Sequence, residues 1–81
     1  MSTTRPITLS PALIDRSKAA VRSLIEELRT VPSTVAAVEY AEINGRLRTL
    51  AALGLIGADE EQDLHLHANK ARQVAEENKE R

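Results

Sequence analysis

Apolar residues recur every three or four positions in three separate stretches of this sequence. That spacing places them on one side of a helix and is typical of helices that bury one face. The stretches are separated by Pro32, which cannot continue a helix, and by Gly54, which favours the left-handed conformation found at helix ends. The sequence therefore predicts a small all-α protein with three helices.

We expect a single helical domain over residues 10–81, with helices at about residues 11–30, 34–53 and 58–79. Residues 1–9 are rich in Ser, Thr and Pro and carry one charged side chain, so they are expected to form a disordered N-terminal arm. A short glycine-bearing turn joins the second and third helices, and we expect these two helices to form an antiparallel hairpin.

Residues suited to helix ends accompany each predicted helix. Ser10 can accept a backbone N–H as the N-cap of the first helix, and Pro11 fits the next position because its missing N–H is not needed there. Either Ser33 or Thr34 is expected to cap the second helix. The helix dipole favours the acidic residues in the first turns of the third helix: Asp59, Glu60, Glu61 and Asp63.

The apolar residues of the chain are small. Twelve of them are Ala, and Tyr40 is the only aromatic residue, so the core lacks the large buried areas that aromatic side chains supply. Small domains with a thin core usually add disulfides, a metal or a partner subunit, and the absence of Cys excludes disulfides. We therefore expect oligomerisation or a protein partner to complete the fold.

The second helix carries two apolar lines. The first is expected to face the core and contains Ala36, Tyr40, Ile43, Leu47 and Leu50. The second consists of small or β-branched residues: Val38, Ala41, Gly45, Thr49 and Ala52. A helix that is apolar on two sides is typical of one that lies at the centre of a bundle or is shared with another chain. Asn44 and Gly45 are also a turn signal, but Ile43 and Leu47 keep phase across the glycine, which favours a continuous helix.

Seven residues of the second helix are therefore candidates for contact with a partner: Tyr40, Ala41, Gly45, Arg46, Arg48, Thr49 and Ala52. Tyr40 is the expected anchor because interfaces favour Tyr, and a Tyr packed at the edge of the bundle is the alternative. The arginines could form a modest basic patch together with Arg22 and Arg29 of the first helix, or be paired within the molecule.

No arrangement of residues predicts catalysis, a cofactor or a metal site. His65 and His67 follow Asp63, but residues two apart on a helix point roughly 200° away from each other, so both imidazoles cannot hold one ion. The pairs four residues apart, Glu61 with His65 and Asp63 with His67, supply fewer ligands than zinc takes from a protein. The three glycines are scattered and form no phosphate-binding loop.

The charge distribution argues against a nucleic-acid partner. The formal net charge is −1, whereas DNA-binding domains usually show a clear basic footprint. In a helix-turn-helix arrangement, the third helix would present its acidic first turn to the phosphates and repel them. A small DNA-binding transcriptional regulator with such an arrangement is nevertheless the alternative interpretation.

The second apolar line and the thin core predict a non-enzymatic protein-interaction module, either a homodimer or a binder of a larger bacterial protein. Helical, Ala-rich proteins of this size without Cys are typical of phages and plasmids, so we expect a regulatory or inhibitory protein. No stretch approaches the roughly 20 apolar residues that span a bilayer, and the N-terminus shows no signal-peptide pattern. These absences predict a cytoplasmic protein without membrane contact.

Overall fold

The computed structural model of the chain describes residues 10–78, which contain three α-helices and no strand. The helices are α1 (Pro11–Leu28), α2 (Ser33–Ala52) and α3 (Ala58–Glu76), and each packs against the other two. The all-α prediction is confirmed. The predicted arm, residues 1–9, lies outside the described residues, as does the last predicted position of the third helix.

The start of α1 follows the prediction, and its end does not. The Leu13 backbone N–H donates to the Ser10 hydroxyl oxygen at 3.1 Å, and Pro11 occupies the first turn. The prediction continued this helix to residue 30, but it ends at Leu28. Thr30 explains the early end, because both its N–H (3.0 Å) and its hydroxyl (2.9 Å) donate to the Glu27 carbonyl, which tightens the last turn.

The second helix begins one residue before the predicted position, and the predicted cap is wrong. Pro32 is the N-cap, with φ −61° and ψ 148°, and no side chain caps the helix. The proline ring already holds the φ angle that a chain needs on entering a helix, so Ser33 becomes the first helical residue. The helix then runs unbroken through Asn44 and Gly45, which confirms the prediction of a continuous helix.

Gly54 ends α2 in the predicted way. Its φ of +75° is the left-handed conformation that costs a residue with a Cβ about 1 kcal/mol or more. Two backbone hydrogen bonds close the turn: the Leu55 N–H donates to the Leu50 carbonyl at 2.9 Å, and the Gly54 N–H donates to the Ala51 carbonyl at 3.0 Å. This is a Schellman motif, and it directs the chain from α2 into the connector before α3.

The third helix starts at the predicted position and ends earlier than predicted. Asp59, Glu60 and Glu61 lie in its first turn, where the helix dipole stabilises negative charge. Its last helical residue is Glu76, although the prediction extended it to residue 79. Asn78 leaves the helix and donates its side-chain N–H to the Arg29 carbonyl at 2.8 Å, which joins the end of α3 to the end of α1.

The core is thin, as predicted from composition. No polar side chain is buried among the described residues, and Leu28 and Leu47 are the largest fully buried side chains. Four of the twelve core residues are alanines; the core contains Val21, Ile25, Leu28, Ala36, Ile43, Leu47, Leu50, Ile56, Leu64, Ala68, Ala71 and Ala75. Between residues 10 and 78, no helix is both long enough and apolar enough to cross a membrane.

Substitution by alanine should have opposite effects on stability at Gly45, within α2, and at Gly54, in the turn that follows it. Gly54→Ala should lower the free energy of unfolding by about 1 kcal/mol, because alanine is strained at positive φ. Gly45→Ala should raise it by up to about 1 kcal/mol, because Gly45 is helical and nothing lies within 4 Å of an added Cβ. Urea denaturation measures both, and equal effects at the two positions would contradict the assigned conformations.

Candidate interaction surface

An uncharged line of residues runs along the side of α2 that points away from the core. It consists of Val38, Ala41, Gly45, Thr49 and Ala52, which we call the outer α2 face. All five residues are exposed, and Val38 retains 69 % of its accessible surface. This is the second apolar line of the sequence, and nothing within residues 10–78 covers it.

Gly45 lies at the centre of the outer α2 face, and no contact among the described residues requires a glycine there. Its conformation is helical, and an added Cβ would meet no atom within 4 Å. A glycine inside a helix costs about 1 kcal/mol relative to alanine. Gly45 therefore lowers the stability of α2, and no packing contact among the described residues compensates for this loss.

The outer α2 face continues into a groove between α1 and α2. The α1 side of this groove is formed by Ser17, Ala20 and Val21. The α2 side is formed by Glu42, Gly45, Arg46, Thr49 and Leu50. Small side chains on both helices leave the groove open. Three of the predicted contact residues line it: Gly45, Arg46 and Thr49.

Two opposite charges stand at the edge of this groove. Glu42 and Arg46 are one helical turn apart and exposed, and within residues 10–78 neither takes part in an ion pair. Arg48 follows Arg46 by two residues and therefore points to the other side of α2, roughly 200° around the helix. Arg46 and Arg48 do not form one basic patch.

Arg22 of α1 is paired within the molecule. The Arg22 guanidinium lies 3.1 Å from a Glu60 carboxylate oxygen, and Lys18 lies 3.4 Å from the other oxygen. Glu60 therefore carries two cationic neighbours and joins α1 to the start of α3.

Tyr40, the predicted anchor, belongs to the contact between α2 and α3. It is half-buried, and the Arg72 guanidinium carbon lies 5.1 Å from the centroid of its ring, within cation–π distance. Arg72 also donates to Glu76 at 2.7 Å and to Asn69 at 2.6 Å. Tyr40 thus has a partner inside the molecule and does not lie on the outer α2 face.

Arg72 is less exposed than a charged residue on a helix surface usually is. Only 25 % of its side chain is exposed. Arg72 directly follows the buried Ala71, so it lies at the border of the buried face, and a long side chain there can lie along the neighbouring helix. The spacing of the alanines was the signal that could have indicated this.

His65 also lies between α2 and α3. Its Nδ1 is 2.6 Å from the Asn44 side-chain oxygen, and its Nε2 is 3.3 Å from a Glu61 carboxylate oxygen. His67 is exposed, with Asp63 at 3.9 Å. In the described part of the chain, no three His, Asp, Glu or Cys side chains come close enough to share a metal ion. The contact of His65 with Asn44 is a structural link between two helices.

A second depression lies between α1 and α3. Its floor is apolar and contains Ile25, Leu64 and Ala71. Its rim carries side chains of both signs, namely Arg22, Glu26, Arg29, Glu60, Asp63, His67 and Lys70. Because the acidic and basic groups are mixed, this rim favours neither an anion nor a cation.

A double-mutant cycle tests the contact between Tyr40 and Arg72. Tyr40→Leu and Arg72→Met keep apolar bulk and remove the ring and the charge, so their effects on unfolding should be coupled by about 0.5–1 kcal/mol. Urea denaturation of both single variants and the double variant measures the coupling. Arg46→Met, on another side of α2, is the matched control and should show none. A coupling energy near zero between Tyr40→Leu and Arg72→Met would contradict the stacking of Arg72 on the Tyr40 ring.

No family model, no curated protein and no solved structure matches this chain.

Proposed function

We propose that this protein is a non-enzymatic protein-interaction module that binds its partner through the outer α2 face and the adjoining groove. The observation that supports this most directly is the exposure of an uncharged line along the whole of α2. A helix in water normally turns charged or polar residues outward, whereas the five residues of this line include no charge and one hydroxyl, that of Thr49, which donates to the Gly45 carbonyl within the helix at 3.0 Å. Glu42 and Arg48 border the line on its two sides. Packing against another helix or groove would remove this line from water.

The contacts between the helices support a bundle in which α2 keeps one side free. Asn44 meets His65, and Tyr40 meets Arg72, so residue numbers fall along α2 as they rise along α3. That order is expected for an antiparallel hairpin, which we propose for α2 and α3. The groove with α1 adjoins the outer α2 face at Gly45 and Thr49, and all five residues of the face stay exposed.

The energetics favour the same conclusion. A core with four alanines and two fully buried leucines supplies little apolar burial for an 81-residue chain. Burying the outer α2 face would add to it, at about 25 cal/mol for each Å² of apolar surface removed from water. The small side chains of that face would also let a partner helix approach closely, because interhelical distance depends on the side chains at the contact.

The partner in this proposal is a protein, either an identical copy or a larger bacterial protein that receives the outer α2 face in a groove. A small cytoplasmic protein bound in this way acts as a regulator or inhibitor by occupying a surface that its target uses. No cofactor, metal or nucleic acid takes part in the proposed function.

Site-specific photo-crosslinking in cells tests this proposal. A photoreactive amino acid at Ala41, on the outer α2 face, should give a covalent adduct with a protein, and the same group at Gln73, exposed on α3, should not. Adducts are detected by immunoblotting and identified by mass spectrometry. Equal labelling from both positions, or no adduct from Ala41, would contradict the proposed surface.

A substitution at the centre of the face provides the second arm of the same test. Gly45→Leu should keep the fold, because its side chain projects into open space, and should reduce the adduct from Ala41 by holding the partner away. Gln73→Leu adds the same side chain elsewhere and should leave the adduct unchanged. Circular dichroism confirms that both variants are helical.

A further inference from the structure

We infer that the partner on the outer α2 face is a second copy of this chain, packed with its α2 antiparallel to the first, so that Glu42 of each copy meets Arg46 of the other. This inference rests on the proposed function and names the partner of the same surface. It is carried by the positions of the exposed apolar and charged residues along α2.

The exposed apolar residues of α2 are placed for such a pair. A two-fold axis beside Asn44, near the middle of the helix, would set Val35 level with Leu53 of the second copy. Val35 and Leu53 are each seven residues from Glu42 or Arg46, so they share the groove edge of α2 with those charges. Val35 and Leu53 retain 39 % and 64 % of their accessible surface. In this register the exposed apolar side chains near the two ends of α2, Val35 and Leu53, meet each other.

The charges of α2 fit the same register. The axis that aligns the apolar residues brings Glu42 level with Arg46 of the second copy, and symmetry repeats the pair. Both residues lie at the groove edge of α2, and in an antiparallel pair the same edges of the two helices meet. A parallel pair would instead set Glu42 level with Glu42 of the second copy. Charges that flank a helix contact determine partner choice and orientation in this way.

Gly45 has a role in this arrangement that it lacks in the single chain. It lies beside Arg46 and is nearly level with Glu42 of the second copy. Because Gly45 has no side chain, it leaves room for the aliphatic part of the second copy's Glu42 side chain. That side chain can then reach Arg46 of the first copy. The self-complementary order of small, acidic and basic residues within one helix favours an identical copy over an unrelated partner.

Charge reversal tests the pairing. The wild-type protein should be a dimer by light scattering across a dilution series, and Glu42→Arg or Arg46→Glu alone should weaken dimerisation by about tenfold or more. Either change turns two attractive pairs into two repulsive ones. Glu77→Arg is the matched control at an exposed site beyond α2 and should leave the dimer intact. Circular dichroism confirms that each variant is folded.

Mixing the two reversed variants gives the decisive result. In a heterodimer of Glu42→Arg with Arg46→Glu, every pair is again attractive, so native mass spectrometry should detect the heterodimer and little of either homodimer. The double variant carrying both reversals should regain the wild-type dimer. These rescues would not occur if the single changes acted through misfolding.

The outcomes separate this inference from the proposed function. A wild-type protein that stays monomeric at every concentration, a dimer indifferent to both reversals, or a mixture that forms no heterodimer overturns the antiparallel pair. An adduct from Ala41 with a different protein would then still support an interaction surface on α2. If Ala41 gives no adduct at all, the surface itself is rejected.

Discussion

The rest of this structure depends on how little apolar volume its helices can bury. Alanines occupy three of the four buried positions of α3, so that helix can lie close to both of its neighbours, and the core between them is narrow. Close packing of small side chains gives a well-defined fold, but the area that it removes from water is modest. The fold therefore relies on additional contacts at the borders of the core.

Those border contacts all involve α3. Glu60 binds two cations of α1, His65 contacts Asn44 of α2, and Arg72 covers Tyr40. Each is half-buried or exposed, where an ion pair or cation–π contact contributes at most about 1 kcal/mol. Their combined effect is to orient α1 and α2 against α3. Among the described residues, no such contact reaches the outer α2 face.

The exposed glycine connects the architecture with the proposed function. Gly54 is explained by its positive φ, because the chain must leave α2 through a left-handed residue. Gly45 has no comparable explanation inside the molecule, since its conformation is helical and the space around it is empty. In the proposed interaction, Gly45 is explained by a partner that approaches α2 closely. In the proposed pair, the opposite charges of Glu42 and Arg46 beside Gly45 determine the direction in which the second α2 packs. A purely apolar surface would not determine it.

The sequence by itself determined the three helices, the breaks at Pro32 and Gly54, and the apolar line of α2 that faces the core. Helical periodicity is local, so these features follow from residue order alone. The same periodicity identified the outer α2 face, because the angle of a side chain around its own helix is also local. Helix ends were less predictable: Thr30 and Pro32 decided two of them through backbone geometry that residue preferences only approximate.

Only the tertiary structure decided what lies opposite each polar residue. Tyr40 was expected to meet another protein, and the fold places it beneath Arg72. Likewise, Arg22 was a candidate for a basic patch, and the fold pairs it with Glu60 of α3. The physical reason is that periodicity gives a direction around one helix, whereas a contact requires the relative placement of two. That placement is determined by packing over the whole core.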